Sequence, residues 1–151
     1  MLDWGLLALV ILVLVLVFLR QQRVVQGQAE LAAIKTTVGA LRVALVFEQL
    51  RAQMGKGQSA VAVAQRNPFL FLQQPPINYQ GEMIAARAAA APPGSWIYDP
   101  ECGCVAYLPL DPHWLSSPSG ATSVWYRVVT EAGVPRLVAM EAYAWQGQDL
   151  K

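Results

Sequence analysis

The sequence predicts an α+β fold in which a long N-terminal helix packs on a small four-stranded antiparallel sheet. Three observations predict it. Before Arg20, the only charged side chain of the 151-residue chain is Asp3. Apolar residues then keep a helical period to about Met54, and from Ser95 they keep a period of two. We therefore expect a transmembrane anchor (1–23), an amphipathic continuation of the helix (24–55), a helix and loop connector (56–94) and a β-sheet domain (95–151).

The first segment has the properties of a retained membrane anchor. As a helix it spans roughly 28 Å over nineteen residues at about 1.5 Å each, close to the ~30 Å hydrocarbon core of a bilayer. A cleaved signal peptide is disfavoured because the start is acidic and no small-x-small cleavage pattern follows. Asp3 lies in the first turn, where the helix dipole favours a carboxylate. The residues expected to pack on lipid or on neighbouring helices are Asp3, Trp4, Leu6, Leu9, Leu12, Leu16 and Leu19.

The helix is expected to continue well beyond the anchor. There is no proline between Val24 and Met54, and apolar residues recur at intervals of three and four. The glycines of "MGKGQS" then end the helix. The residues expected to fasten this half of the helix to the sheet are Leu31, Ile34, Val38, Leu41 and Leu45.

The connector is mixed. "QSAVAVAQR" predicts a short helix, "NPFLFLQQPPINYQGEM" an extended packed loop, and "IAARAAAAPPG" a turn of helix that the prolines end. Beyond it, "SWIYD" and "CVAYLPL" predict one hairpin, and "TSVWYRVVTE" and "RLVAMEAYAW" a second. "DPHWLSSPSGA" between them is typical of a loop. Since Arg127 alternates with Val124, Tyr126 and Val128, one side of the sheet is expected to be covered and the other partly wet.

Composition and motifs argue against several functions. The net charge is +1 with Lys and Arg scattered, so there is no electrostatic case for nucleic acid. The only histidine, His113, is near Asp111 and Ser116 in sequence alone, and no catalytic or phosphate-binding motif is present. We therefore expect no enzyme activity, no catalytic or metal site, no cofactor and no small-molecule substrate.

Two sets of residues leave alternatives open. Cys102 and Cys104 would point to the same face of a strand, too far apart for an unstrained bond, so a turn disulfide, pairing between subunits and two free thiols all stand. The dense aromatic residues of the last sixty positions predict the core of a small domain. Alternatively, Trp114 and Trp145 are partly exposed contacts for a partner.

The whole architecture resembles type IV pilins and the pseudopilins of type II secretion. Two stretches, "NPFLFLQQPPINYQGE" (67–82) and "PPGSWIYDPECGCVAYLP" (92–109), are similar to small pilin-like accessory proteins, including those of mannose-sensitive-haemagglutinin-type pilus systems. One departure concerns the family's glutamate, five residues after its cleavage glycine. The matching position after Gly5 is Val10, and "MLDWG" has no basic residue.

The resemblance implies a single-pass protein of the bacterial inner membrane, with its C-terminal domain in the periplasm or in a pilus. Its partners would be membrane lipid, other pilin or pseudopilin subunits, and inner-membrane assembly proteins. The basic residues Arg20, Arg23 and Lys35 follow the span, and the positive-inside rule alone would place the C-terminal domain in the cytoplasm. We follow the resemblance on this point. The alternative function is a stand-alone periplasmic binding module that uses an aromatic sheet face.

Overall fold

A computed structural model describes the backbone of residues 2–55 and 59–150 and the side chains of 4–55 and 59–150. The chain divides into two compact units, Met1–Ala33 and Ile34–Lys151. The helices are α1 (Leu2–Gln53) and α2 (Ala60–Ala64), with 3₁₀ turns at Pro68–Phe71, Ala85–Ala90 and Pro112–Trp114. The strands are β1 (Tyr79–Glu82), β2 (Ser95–Asp99), β3 (Cys104–Leu108), β4 (Leu115–Ser116), β5 (Val124–Glu131), β6 (Val134–Ala139), β7 (Tyr143–Trp145) and β8 (Gln148–Leu150). The predicted α+β class is confirmed.

Helix α1 ends where the sequence predicts. Its last residue is Gln53, and the turn that follows places Gly55 at a φ of +68°. That left-handed conformation is the one that glycine adopts most readily at the end of a helix. Residues 56–58 of "MGKGQS" lie outside the described part of the chain.

The main sheet differs from the predicted one. It has five strands in the order β1-β2-β3-β5-β6, and it is mixed because β1 runs parallel to β2. The prediction of four antiparallel strands is therefore wrong. Strand β1 comes from the segment expected to be a loop, and its four residues are too short to show a period of two. The two predicted hairpins are present as β2–β3 and β5–β6.

A second sheet, also not predicted, has the antiparallel order β4-β7-β8. The run "RLVAMEAYAW", expected to be one strand, divides after Ala139. There the amide of Met140 donates to the carbonyl of Trp125 at 2.9 Å, and the chain then turns into β7. Strand β4 lies within the stretch expected to be a loop, and Leu115 pairs with Trp145.

Both faces of the central strands are covered. One face carries seven large side chains that are at most 6% exposed: Trp96, Tyr98, Val105, Tyr107, Val124, Tyr126 and Val128. The other face carries Ile97 and Ala106, which cluster with Ala88 of the alanine-rich 3₁₀ turn and with Ala91 directly after it. The expectation that the second face of the sheet is partly exposed to solvent is therefore wrong for β2 and β3. The small alanine side chains allow their segment to pack closely on this face. On β5 the expectation holds, since Arg127 is exposed.

The part of α1 that belongs to the second unit contacts β6. Arg42 Nε donates to the carbonyl of Leu137 at 3.4 Å, and Leu45 and Val46 line a groove together with Val134–Val138. The short helix α2 lies against β5 and β6, and its Val63 is fully buried. The cover that the sequence assigned to one helix is thus shared between two.

Candidate interaction surfaces

The front of α1 is an exposed apolar surface. Every large hydrophobic side chain from Trp4 to Leu19 is about half exposed or more, between 48% for Val10 and 79% for Trp4. Among the described residues, this is the one helix long and apolar enough to cross a membrane by length and composition. Because none of the apolar window is buried, it is not a core helix of this fold.

The residues predicted to pack on lipid or neighbouring helices lie on this surface. Asp3 is in α1, but its side chain is outside the described residues. The exposed fractions of the others are 79% for Trp4, 68% for Leu6, 59% for Leu9, 56% for Leu12, 53% for Leu16 and 51% for Leu19.

The residues predicted to form the helix–sheet stripe are all buried. Their exposed fractions are 3% for Leu31, 1% for Ile34, 3% for Val38, 0% for Leu41 and 1% for Leu45. At about 25 cal/mol per Å² of apolar area removed from water, such a row of large side chains is a main source of stability for a small domain.

A second apolar stripe on α1 was not predicted. It consists of Val43, Val46, Phe47 and Leu50, which are 46–60% exposed, and we call it the Val43–Leu50 stripe. Phe71 lines a shallow groove together with Val43 and Phe47 and so extends the apolar area. The signal was present in the sequence as helical spacing, but the same period also fits the buried stripe, and spacing alone does not say that a helix has two apolar faces.

The first motif-bearing stretch is held by a buried asparagine. The Asn67 side chain accepts the amide of Phe69 at 3.1 Å, which caps the following 3₁₀ turn, and its Nδ2 donates to the Tyr79 hydroxyl at 2.7 Å and to Glu82 Oε1 at 3.3 Å. Phe69 stacks on Tyr79 with ring centroids 4.2 Å apart. Burial raises the pKa of Tyr79, the hydrogen bond from Asn67 opposes the rise, and the Glu82 carboxylate adds to it. The tyrosine therefore stays neutral and acts as a structural acceptor.

The second motif-bearing stretch is tied to the first. Asn78 Nδ2 donates to the carbonyl of Gly94 at 2.6 Å, and the amide of Trp96 donates to the carbonyl of Asn78 at 3.0 Å. Asp99 is 2% exposed, and its two carboxylate oxygens accept the amides of Ala85 and Glu101, each at 2.8 Å. These polar residues satisfy the backbone of the loops that they bridge. Their hydrogen bonds hold the two motif-bearing stretches together.

The two tryptophans predicted as partner contacts lie side by side. Trp145 is fully buried on β7 between its partners on β4 and β8, so the expectation that it is partly exposed is wrong. Trp114 is half-buried, with its ring centroid 6.0 Å from that of Trp145. Of the two predicted partner contacts, only the exposed part of Trp114 is still available to a partner.

The two cysteines form a disulfide, Cys102–Cys104. The sequence argument placed both in a strand, but β3 begins at Cys104 and Cys102 lies in the preceding turn. Their Cα atoms are 5.3 Å apart, inside the usual range of roughly 4.4–6.8 Å. Cys104 is fully buried, while Cys102 is exposed.

The polar residues weighed for catalysis lie at the surface. His113 is highly exposed, and its Nδ1 is 2.8 Å from Asp111 Oδ1, a carboxylate that also accepts the amide of His113 at 3.0 Å. The aspartate thereby caps the short 3₁₀ turn. Within the described ranges, no group of three or more His, Cys, Asp or Glu side chains is arranged to hold a metal ion.

Comparison of the chain with protein-family models, with curated proteins and with solved structures found no match. The described residues fold as an α+β protein with one long N-terminal helix whose front is apolar and exposed.

Proposed function

We propose that this chain is a non-enzymatic, single-pass membrane protein of pilin type: a minor pilin, pseudopilin or accessory component of a type IV pilus or type II secretion machine. It would act through contacts of its helix and of its β-domain with other subunits. The observation that carries the proposal is the exposed Val43–Leu50 stripe.

The stripe supports a protein partner because one bilayer is too thin to cover both the front of α1 and the Val43–Leu50 stripe. A helix crosses the hydrocarbon core with about 20 residues. The apolar run already ends at Leu19, and Val43 follows 24 residues later. An apolar helix face outside a membrane is typical of a helix–helix or helix-in-groove contact.

The rim of the stripe is consistent with such a contact. Arg51 Nη1 and Glu48 Oε1 form an ion pair of 2.8 Å beside it, and Arg42 lines the groove of the stripe on the other side. Interfaces between subunits usually have an apolar centre and a polar, solvent-accessible rim.

The disulfide supports the proposed location of the β-domain outside the cytoplasm. Disulfides persist in oxidising compartments such as the bacterial periplasm and are rare in the cytosol. This consideration opposes the arrangement that Arg20, Arg23 and Lys35 would favour by the positive-inside rule.

The alternative function, a periplasmic binding module with an aromatic sheet face, is less well supported. Trp96, Tyr107 and Tyr126 are at most 3% exposed, and Trp96 is 4.8 Å from Tyr107 between ring centroids. These rings fill the core and are not presented to a ligand.

Site-directed cross-linking in native membranes tests the proposal. Phe47→Cys, in the stripe, is expected to give adducts through a bifunctional maleimide with a second copy or with a pilin-like subunit identified by mass spectrometry. Lys35→Cys, exposed on the same helix, is the matched control and should give few. Equal yields at both positions, or monomer alone, would contradict the proposal.

A reporter fused after Lys151 tests the compartment separately. Alkaline phosphatase should be active there, and a bright cytoplasmic fluorescent protein at the same position would contradict the periplasmic assignment.

A further inference from the structure

The Cys102–Cys104 disulfide is poorly placed to act as a staple. It encloses a single residue, Gly103, and the stabilisation from a cross-link grows with the length of the loop that it closes. The hairpin that it adjoins is already held by five residue pairs between β2 and β3, from Ser95↔Leu108 to Asp99↔Cys104. Because this disulfide adds little to stability, a chemical role is considered instead.

The two cysteines of the disulfide are in unlike environments. Cys102 lies exposed in the turn, whereas Cys104 is fully buried at the start of β3. Thiol–disulfide exchange needs access of the attacking thiolate to one sulfur atom along the S–S axis. Because Cys104 is enclosed and Cys102 is exposed, attack is expected at Cys102 Sγ.

The buried sulfur atom has a cation beside it. Arg127 lies opposite Cys104 in the β3–β5 ladder, and its Nη2 is 3.9 Å from Cys104 Sγ. A guanidinium at this position favours the thiolate form of a cysteine. A thiolate that is stabilised in this way is a better leaving group in exchange.

A nearby carboxylate does not cancel this effect. Asp99 pairs with Cys104 from the other side, in β2, but both of its oxygens accept backbone amides at 2.8 Å. Those two hydrogen bonds offset the negative charge of Asp99, while Arg127 Nη2 lies 3.9 Å from the sulfur atom.

We propose that Cys102–Cys104 is a thiol-exchange site whose co-reactant is a dithiol. A thiolate of that dithiol forms a bond with Cys102 Sγ, the Cys102–Cys104 bond breaks, and its electron pair leaves on Cys104 Sγ beside Arg127. The second thiolate of the reductant then attacks the reductant's first sulfur atom, the one now bonded to Cys102 Sγ. Cys102 leaves as a thiolate and takes a proton from water. The dithiol becomes a disulfide, and the two cysteines gain two electrons.

Reduction kinetics of the full chain in detergent micelles test the role of Arg127. Dithiothreitol at neutral pH is the probe, and aliquots are quenched with a maleimide that adds mass to each free thiol. Arg127→Gln is expected to slow reduction about threefold, because the leaving group loses its cation. Arg127→Lys should restore most of the rate. Arg136→Gln, an exposed arginine on β6, is the matched control and should leave the rate unchanged.

The site of attack is tested with the monothiol glutathione and an alkylating quench. Mass spectrometry should locate the mixed disulfide on Cys102. Three results would overturn the proposal: glutathione found on Cys104, equal reduction rates for wild type and Arg127→Gln, or a bond that resists dithiothreitol until urea unfolds the chain.

Discussion

The two halves of α1 differ in how their apolar side chains are distributed around the helix axis and in how exposed these side chains are. From Trp4 to Leu19 every large apolar side chain is exposed, whichever way it points from the helix axis. From Ile34 onwards the apolar side chains separate into a buried row, which includes Leu41, and the exposed Val43–Leu50 stripe. A helix that is apolar all round is typical of a membrane span, whereas one with faces is typical of protein contacts. The angular distribution of apolar residues therefore distinguishes lipid from protein as the expected neighbour.

The largest expected effect comes from making the same leucine-to-alanine change on the buried face and on the exposed face of the second half of α1. Leu41→Ala should lower the free energy of unfolding by about 4 kcal/mol, since Leu41 is fully enclosed and its truncation leaves a cavity. Leu50→Ala makes the same chemical change where the side chain is 46% exposed, and should cost about 0.5 kcal/mol or less. Urea unfolding of the full chain in detergent, followed by tryptophan fluorescence, measures both. Similar losses would show that the two faces are not distinct.

The sequence predicted the helix, the buried stripe and both hairpins because each rests on a long, regular pattern. It missed β1 and the second sheet because those strands have two to four residues, too few for a period to be seen. Their formation depends on distant partners such as the Asn67–Tyr79 hydrogen bond, which local pattern does not encode.

The candidate surfaces were likewise predicted where they rest on a regular pattern and missed where they depend on distant parts of the chain. The front of the helix was identified by composition alone. The exposure of the Val43–Leu50 stripe and the burial of Trp145 depend on which elements reach them in the fold. The proximity of Arg127 to Cys104 depends on the β3–β5 register, which the sequence did not specify.

A second substitution pair tests whether the two halves have different neighbours. Leu12→Arg should disfavour membrane insertion by about 3 kcal/mol, the difference between leucine and arginine at the centre of a span. Val43→Arg adds the same charge to the exposed stripe and should leave insertion unchanged. Alkaline extraction of membranes, followed by immunoblotting of pellet and supernatant, reports the outcome. Loss of both variants from the membrane pellet would mean that lipid contacts extend into the second half.

The smallest expected effect concerns the sheet face near the second half of α1. The Tyr126 hydroxyl is buried and has no hydrogen-bond partner among the described residues, and burial raises its pKa well above the usual range despite the opposing charge of Arg42. Because the folded state desolvates this hydroxyl without pairing it, Tyr126→Phe should leave stability unchanged or raise it by up to about 1 kcal/mol.

Tyr143→Phe is the matched control. The Tyr143 hydroxyl accepts the amide of Trp125 at 3.1 Å, so its removal should cost about 1 kcal/mol. Thermal unfolding of the two variants should therefore shift in opposite directions or differ clearly in size. An equal loss in both would show that the Tyr126 hydroxyl is satisfied in solution, and that the face beneath Arg42 is wetter than its burial indicates.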